Sequence, residues 1–208
     1  MRRRKRVRLR PLGWVLLVFL PACLILLFIR ACSQDAVEIT EALGVPVHTL
    51  YVKENTPSRP GITREIQYLV LHETGNQATG SDAKNHAIYL RFTNDTSTSW
   101  HYTVDDTCIY HHIPDNEVAW HASDRLEKTG GNRNGIGIEL CVNADGDFEK
   151  TFDNAARLAA CLLEAYDLEV EDIKQHADFA QKNCPQRIRD ENRMDAFKAK
   201  VAAYQKEN

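Results

Sequence analysis

Two separated stretches of this chain constrain its fold, because each carries side chains of the kinds that bind metals. The apolar run Tyr68–Leu71 leads into His72, and further along the chain Cys184 follows His176 by eight residues. Two imidazoles and a thiolate are the ligand set of a catalytic zinc site, which leaves a fourth position open. The spacing therefore predicts a fold in which His72, His176 and Cys184 converge around Zn2+.

The N-terminal part of the chain has a different character. Residues 2–10 contain seven Lys or Arg and no acid, and residues 12–29 form an 18-residue run without a charge. A helix that rises about 1.5 Å per residue would nearly cross a hydrocarbon core of roughly 30 Å over this run. We predict an uncleaved, single-pass transmembrane signal anchor, with the basic residues in the cytoplasm and the rest of the chain outside the cell membrane. A cleaved signal peptide is the alternative, although no clean cleavage site follows the run.

Charge is distributed unevenly along the chain. The whole sequence has a formal net charge of −3, and eight of its 26 Lys and Arg lie in the first 32 residues, which hold no acid. The remainder therefore has a formal charge of about −11. No basic face is left for nucleic acid, so we expect no partner of that class. The predicted organisation is a basic tail (1–11), an anchor (12–29), a stalk with a leading segment (30–60) and one monomeric domain (61–208).

Strand-like and helical patterns alternate along the predicted domain. Short apolar runs predict strands at Ile66–His72, Ser99–Asp105, Cys108–Ile113 and Asn134–Val142. Apolar residues at helical spacing predict helices at Asp82–Phe92, Lys150–Tyr166 and Pro185–Tyr204. This alternation predicts an α/β fold with a mixed central β-sheet flanked by helices, preceded by the N-terminal transmembrane helix.

Six sequence blocks occur in a fixed order along the domain. They are His72-Glu-Thr-Gly-Asn76, Ser99-Trp-His-Tyr-Thr-Val-Asp-Asp106, His112-Ile-Pro114, Ala119-Trp-His121, Gly131-Asn-Arg-Asn-Gly-Ile-Gly-Ile-Glu139 and Lys182-Asn-Cys-Pro-Gln-Arg-Ile188. Together they resemble the type 2 N-acetylmuramoyl-L-alanine amidases, a family that includes phage endolysins and peptidoglycan recognition proteins. The resemblance covers roughly residues 60–190. It implies a zinc-dependent hydrolase that acts on peptidoglycan, at the amide bond between N-acetylmuramic acid and L-alanine.

The resemblance also implies roles for single residues. His72, His176 and Cys184 match the zinc ligands of the family. Lys182 matches a catalytic lysine, and Glu139 matches a glutamate that acts as general base or holds the attacking water. Such a base would accept the proton of the water and pass it to the leaving amine.

Three further residues are candidates for substrate binding, namely Trp100, Trp120 and His121. Trp100 stands where some members of the family place a catalytic tyrosine. Tyr102 follows two residues later, so it should face the same side of its strand as Trp100.

Several alternatives stay open from the sequence. Glu139 could instead pair with an arginine at a strand edge, and Lys182 could be an ordinary surface lysine. The whole domain could be a non-catalytic module that recognises peptidoglycan, or a cysteine peptidase with Cys184 as its nucleophile. Removal of the metal separates the zinc hydrolase from the thiol peptidase, because only the hydrolase needs the metal.

Overall fold

Seven strands form one sheet in the computed structural model, which describes residues 35–93 and 95–207. The strands are β1 (Glu41–Ala42), β2 (Val45–Thr49), β3 (Tyr68–Glu73), β4 (Tyr102–Val104), β5 (Ile109–His111), β6 (Gly135–Leu140) and β7 (Ile173–Gln175). Their order across the sheet is β1-β2-β5-β4-β6-β3-β7. The pairs β1–β2 and β4–β5 are antiparallel and the other four pairs are parallel. The prediction of a mixed sheet is confirmed.

Three of the helices described lie between strands in sequence, two follow the last strand, and the helices flank the sheet. They are α1 (Ala83–Phe92), α2 (Gly131–Asn134), α3 (Phe148–Tyr166), α4 (Gln186–Asp190) and α5 (Met194–Glu207). Asp82 begins α1 by accepting a hydrogen bond from the Asn85 amide at 2.8 Å, and Asp147 begins α3 in the same manner. Helix α3 ends where Asp167 adopts a left-handed backbone with φ of 54°, a conformation that stops an α-helix.

The two faces of the sheet differ because successive side chains on a strand point in opposite directions. On β6, Ile136, Ile138 and Leu140 join the large apolar core, which also contains side chains of α3 and α5. The alternate positions of β6, among them Gly137 and Glu139, therefore lie on the opposite face. The same alternation on β3 places Leu71 in the core and His72 on the face of Glu139.

The predicted C-terminal helix is wrong as a single element. The structure has two helices, α4 and α5, separated by residues 191–193. Asn192 has φ of 54°, and the Arg193 amide donates back to the Ile188 carbonyl at 2.8 Å. Asparagine tolerates this left-handed conformation, and the backward hydrogen bond closes the end of α4. The short helix α2 was not predicted.

The prediction that Trp100 and Tyr102 face the same side of one strand is also wrong. Tyr102 begins β4 and points into the large core, whereas Trp100 precedes the strand and packs with Leu90 of α1 in a second apolar cluster. Strand alternation does not apply to Trp100 because it lies outside the strand.

No helix within residues 35–93 and 95–207 is long and apolar enough to cross a membrane. The anchor predicted at residues 12–29 lies outside the described residues.

Candidate metal centre and active site

Strand register brings the first ligand and the predicted base side by side. His72 on β3 lies directly opposite Glu139 on β6, and both side chains point to the face of the sheet away from α3. Glu139 Oε1 lies 4.0 Å from His72 Nδ1. A shift of either strand by one residue would turn one of the two side chains to the other face. The sheet itself therefore fixes this pair.

His176 and Cys184 reach His72 from the end of the neighbouring strand. Strand β7 pairs with β3 and ends at Gln175, so the next residue, His176, emerges beside His72. The two Nδ1 atoms are 3.0 Å apart, and Cys184 Sγ lies 3.8 Å from His72 Nδ1. The ligand atoms of all three residues lie within 4.8 Å of one another.

The loop that carries Cys184 is held at both ends. The Ala177 amide donates to the Cys184 carbonyl at 3.0 Å, which folds the loop back on itself. Glu73, the residue after His72, accepts hydrogen bonds from the amides of Arg187 and Ile188 at 2.9 and 3.0 Å. A carboxylate at the first amides of a helix is stabilised by the helix dipole. Glu73 thus joins the start of α4 to the end of β3, next to the ligands.

The protonation states of the three residues suit a zinc ion. Burial lowers the pKa of His72 well below its usual range and lowers that of His176 to about 4, with a smaller effect from Lys182 on each. Both imidazoles are therefore neutral at pH 7 and can offer a lone pair. Burial raises the pKa of the Cys184 thiol to about 12, so the thiol releases its proton when a metal binds. Two nitrogens and one sulfur are donors that zinc accepts well.

Glu139 is placed to exchange a proton with a molecule in the cavity. Its side chain is 14% exposed, and Oε2 has no hydrogen-bond partner among the described residues. Burial raises the pKa of this carboxyl to about 8, against the opposing charge of Lys182. A metal cation beside it would lower that pKa again, because positive charge favours the carboxylate.

Lys182 lies at the junction of two cavities. It lines a cavity of about 710 Å³ together with Glu139 and His176, and it also lines a second cavity of about 410 Å³ together with Cys184. The side chain is exposed, so it can turn towards a bound ligand. Its positive charge lowers the pKa of the Glu139 carboxyl and that of the His176 imidazole.

The larger cavity also contains the three predicted substrate-binding residues, Trp100, Trp120 and His121. Trp100 is 8% exposed and donates from Nε1 to Thr103 Oγ1 at 2.6 Å. Trp120 is half-buried and donates to the Pro57 carbonyl at 2.9 Å. Both indoles are therefore held in place before any ligand arrives. Their contact with substrate stays a prediction.

Sequence reasoning missed the residues that support the ligands. Ser123 Oγ lies 3.1 Å from His176 Nε2, and Glu73 holds the loop of Cys184 as described. Neither position has a local pattern that sets it apart from other serines and glutamates. The Gly-Ile-Gly sequence before Glu139 did indicate open space beside the site, since small residues at alternate positions leave room on one face of a strand.

Comparison with known proteins agrees with this geometry. The profile described as N-acetylmuramoyl-L-alanine amidase matches residues 62–187. The chain is similar to N-acetylmuramoyl-L-alanine amidase XlyA of Bacillus subtilis (strain 168), at 42% identity over 151 residues, which are 73% of this chain and 49% of that protein. It is also 42% identical over 140 residues to N-acetylmuramoyl-L-alanine amidase CwlH of the same organism, covering 67% of this chain and 55% of CwlH. The chain spans about half the length of these relatives.

The fold has solved counterparts. The structure of the catalytic domain of XlyA matches with a TM-score of 0.71 at 41% identity, and the match covers 76% of this chain and 99% of that domain. The solution structure of the PlyG catalytic domain matches with a TM-score of 0.69 at 29% identity, covering 77% of this chain and 96% of that domain. The region that carries the candidate site is therefore similar to catalytic domains.

Proposed function

Because the chain belongs to the N-acetylmuramoyl-L-alanine amidase family, we propose that it is a zinc-dependent N-acetylmuramoyl-L-alanine amidase. It hydrolyses the amide bond between N-acetylmuramic acid and L-alanine in peptidoglycan. The observation that carries this proposal is the convergence of His72, His176 and Cys184 within 4.8 Å, beside a buried carboxyl at Glu139. We assign the activity to residues 61–208.

Zinc held by His72, His176 and Cys184 would supply Lewis-acid activation of water and of the scissile carbonyl. Glu139 performs the proton transfers. Its carboxylate, which lines the cavity, accepts a proton from the attacking water and then delivers it to the nitrogen of the departing L-alanine. Because strand register fixes Glu139 opposite His72, the base needs no rearrangement between these steps.

Lys182 and the two tryptophans act on the substrate rather than on the metal. The ammonium group of Lys182 stabilises the negative charge that develops on the carbonyl oxygen during attack. Trp100 and Trp120, already fixed by hydrogen bonds, offer flat apolar surfaces that suit sugar rings and aliphatic parts of the stem peptide.

Two alternatives are less well supported. A thiol peptidase needs a cysteine with a lowered pKa, whereas burial raises the pKa of Cys184 to about 12. A module that only recognises peptidoglycan would have no use for a proton acceptor next to the ligands. The alternative in which Glu139 pairs with an arginine is disfavoured, because within residues 35–93 and 95–207 the basic side chain within 4.0 Å of its carboxyl is His72, whose ring is neutral.

We also propose that the enzyme acts outside the cytoplasmic membrane as an anchored monomer. The anchor in this proposal is supported by the seven bases in residues 2–10 and the uncharged run at residues 12–29. Membranes from cells that produce the chain should retain it through a high-salt wash and release it with detergent. Release by salt alone would contradict the anchor.

The test of the activity combines metal content with product analysis. Purified protein should contain about one zinc per chain and release free L-alanine amino termini from peptidoglycan, and a chelator should stop the release. Cys184→Ser should lose zinc, whereas Cys161→Ser on α3 should keep it, as a matched control for loss of a thiol. Zinc without release would favour the recognition module, and release that survives chelation would contradict the proposal.

A further inference from the structure

His121 contacts a metal ligand as well as the cavity. It is 7% exposed, and its Nδ1 lies 3.0 Å from His72 Nε2. The two rings meet edge to face, at 88° with centroids 5.0 Å apart. His72 thus uses both ring nitrogens: Nδ1 faces the other two ligands and Nε2 faces His121.

The other nitrogen of His121 determines where the protons lie. His121 Nε2 is 3.2 Å from the Gly135 carbonyl, and a carbonyl oxygen can only accept a hydrogen bond. Nε2 of His121 must therefore carry the proton. In a neutral ring the Nδ1 atom is then an acceptor, so His72 Nε2 must carry a proton and donate it to His121.

This chain of donors leaves His72 Nδ1 without a proton, with its lone pair directed at the other two ligands. Ligand histidines commonly hold a metal through one nitrogen while the other nitrogen donates a hydrogen bond that fixes the tautomer. Here the acceptor is a second histidine, and that histidine is in turn fixed by a backbone carbonyl of β6. His176 Nε2 lies next to Ser123 Oγ, a hydroxyl that can either accept or donate a hydrogen bond.

The surrounding structure is shaped to hold the His121 ring. A Cβ atom at Gly137 would lie 2.7 Å from His121 Cγ, so only glycine allows the ring to lie against β6 at this point. Asn132 Oδ1 accepts hydrogen bonds from the backbone amides of His121 and Ala122 at 2.7 and 2.6 Å. The ring is therefore fixed by the strand beneath it and by its own backbone.

We propose that His121 is a positioning residue for the metal centre, which sets the Nε2–H tautomer of His72 through the Gly135–His121–His72 hydrogen-bond chain. This role differs from the substrate contact that the sequence suggested. The inference rests on the proposed zinc site, but it concerns metal affinity and proton positions and is independent of which bond the enzyme cuts.

The first test is the proton position itself, in the protein as it is. Long-range 1H–15N spectra of the zinc-loaded, 15N-histidine-labelled protein should show a proton on Nε2 of both His72 and His121, with assignments taken from His121→Asn and from histidines remote from the site. A proton on Nδ1 of His121 would overturn the proposal. This measurement needs no activity.

The second test is zinc affinity, measured by competition with a chromophoric chelator. His121→Phe keeps a ring but removes the acceptor, and zinc affinity should fall by about 10- to 100-fold. His121→Asn places an amide oxygen near the position of Nδ1 and should recover affinity to within about threefold. Trp120→Phe alters the neighbouring cavity residue and should leave zinc affinity unchanged. Equal affinities for the Phe and Asn variants would overturn the proposal.

Gly137→Ala gives an independent perturbation, because it moves the ring without changing any polar atom. Its zinc affinity should fall by about tenfold while far-UV circular dichroism shows a folded protein. Unchanged affinity in a folded Gly137→Ala protein would count against the proposal. Should the amidase activity itself prove absent, the affinities and proton positions would still decide the role of His121.

Discussion

Glu139→Gln is expected to have two opposite effects, a loss of turnover and a gain in stability of the metal-free protein. The carboxyl is nearly buried, at 14% exposure, and its Oε2 has no hydrogen-bond partner among the described residues. Burial raises its pKa from 4.5 to about 8 despite the opposing charge of Lys182. Glutamine has nearly the same shape without the charge. It therefore removes the cost of burying a carboxylate together with the proton acceptor.

The size and sign of the gain follow from the two pKa values. The unfolded chain releases this proton near pH 4.5 and the folded chain only near pH 8. Between these values the unfolded state binds fewer protons, so the free energy of unfolding falls as pH rises. At about 1.4 kcal/mol per pH unit the upper limit at pH 8 is about 5 kcal/mol. Relaxation of the site reduces this limit, and we expect Glu139→Gln to be more stable by about 2 to 4 kcal/mol at pH 8.

Urea unfolding of chelator-treated protein at pH 5 and pH 8 measures this effect. The difference between Glu139→Gln and the unsubstituted protein should be small at pH 5 and large at pH 8. Glu171→Gln, at an exposed carboxyl, corrects for the general effect of removing one negative charge. A difference that is the same at both pH values would refute the reasoning. Turnover by the zinc-loaded variant should fall by about 100- to 10,000-fold, with zinc retained.

Three further predictions concern other parts of the molecule. Lys182→Met should lower kcat by about 100- to 1000-fold without loss of zinc, and zinc loss would show that the lysine supports the metal instead. Gly135→Ala should lower the free energy of unfolding by about 1 to 3 kcal/mol in urea, because its Cβ would lie 2.5 Å from Val70 Cγ2 and 2.8 Å from a backbone carbonyl oxygen of α2. Unchanged stability would contradict this steric argument. Asp115→Ala should lower the free energy of unfolding by about 3 kcal/mol in the same assay, since the Asp115 carboxylate accepts a hydrogen bond from the Tyr102 hydroxyl at 3.0 Å in the core. Asp115→Asn should lower it by less.

The cluster of His72, His176 and Cys184 could be predicted from the sequence because each part of it is local. His72 ends an apolar run, and His176 and Cys184 lie on one short loop, so a short window of sequence contains each signal. The sheet then adds only the pairing of β3 with β6 and β7. The predicted α/β class was confirmed for the same reason, since hydrophobic periodicity is a property of single segments.

The errors and omissions concern relations between segments or the ends of segments. Trp100 and Tyr102 were expected on one side because the strand was predicted to begin at Ser99, whereas it begins at Tyr102. Such boundaries depend on hydrogen bonds that a sequence does not display. The contact between His121 and His72 spans 49 residues and exists only once α2 and β6 have packed. A role that depends on such a contact is visible only in the folded molecule.

The distance in sequence between the ligands has a consequence for the newly made chain. His72 and Cys184 are 112 residues apart, and β3 receives its partners β6 and β7 only after residues 135 and 173 have been made. At about 5 to 20 residues per second, roughly 6 to 22 seconds of translation separate the synthesis of His72 from that of Cys184. A ribosome-bound chain that already carries His72 and Glu139 therefore lacks both His176 and Cys184, and the candidate metal centre forms only after Cys184 has been made.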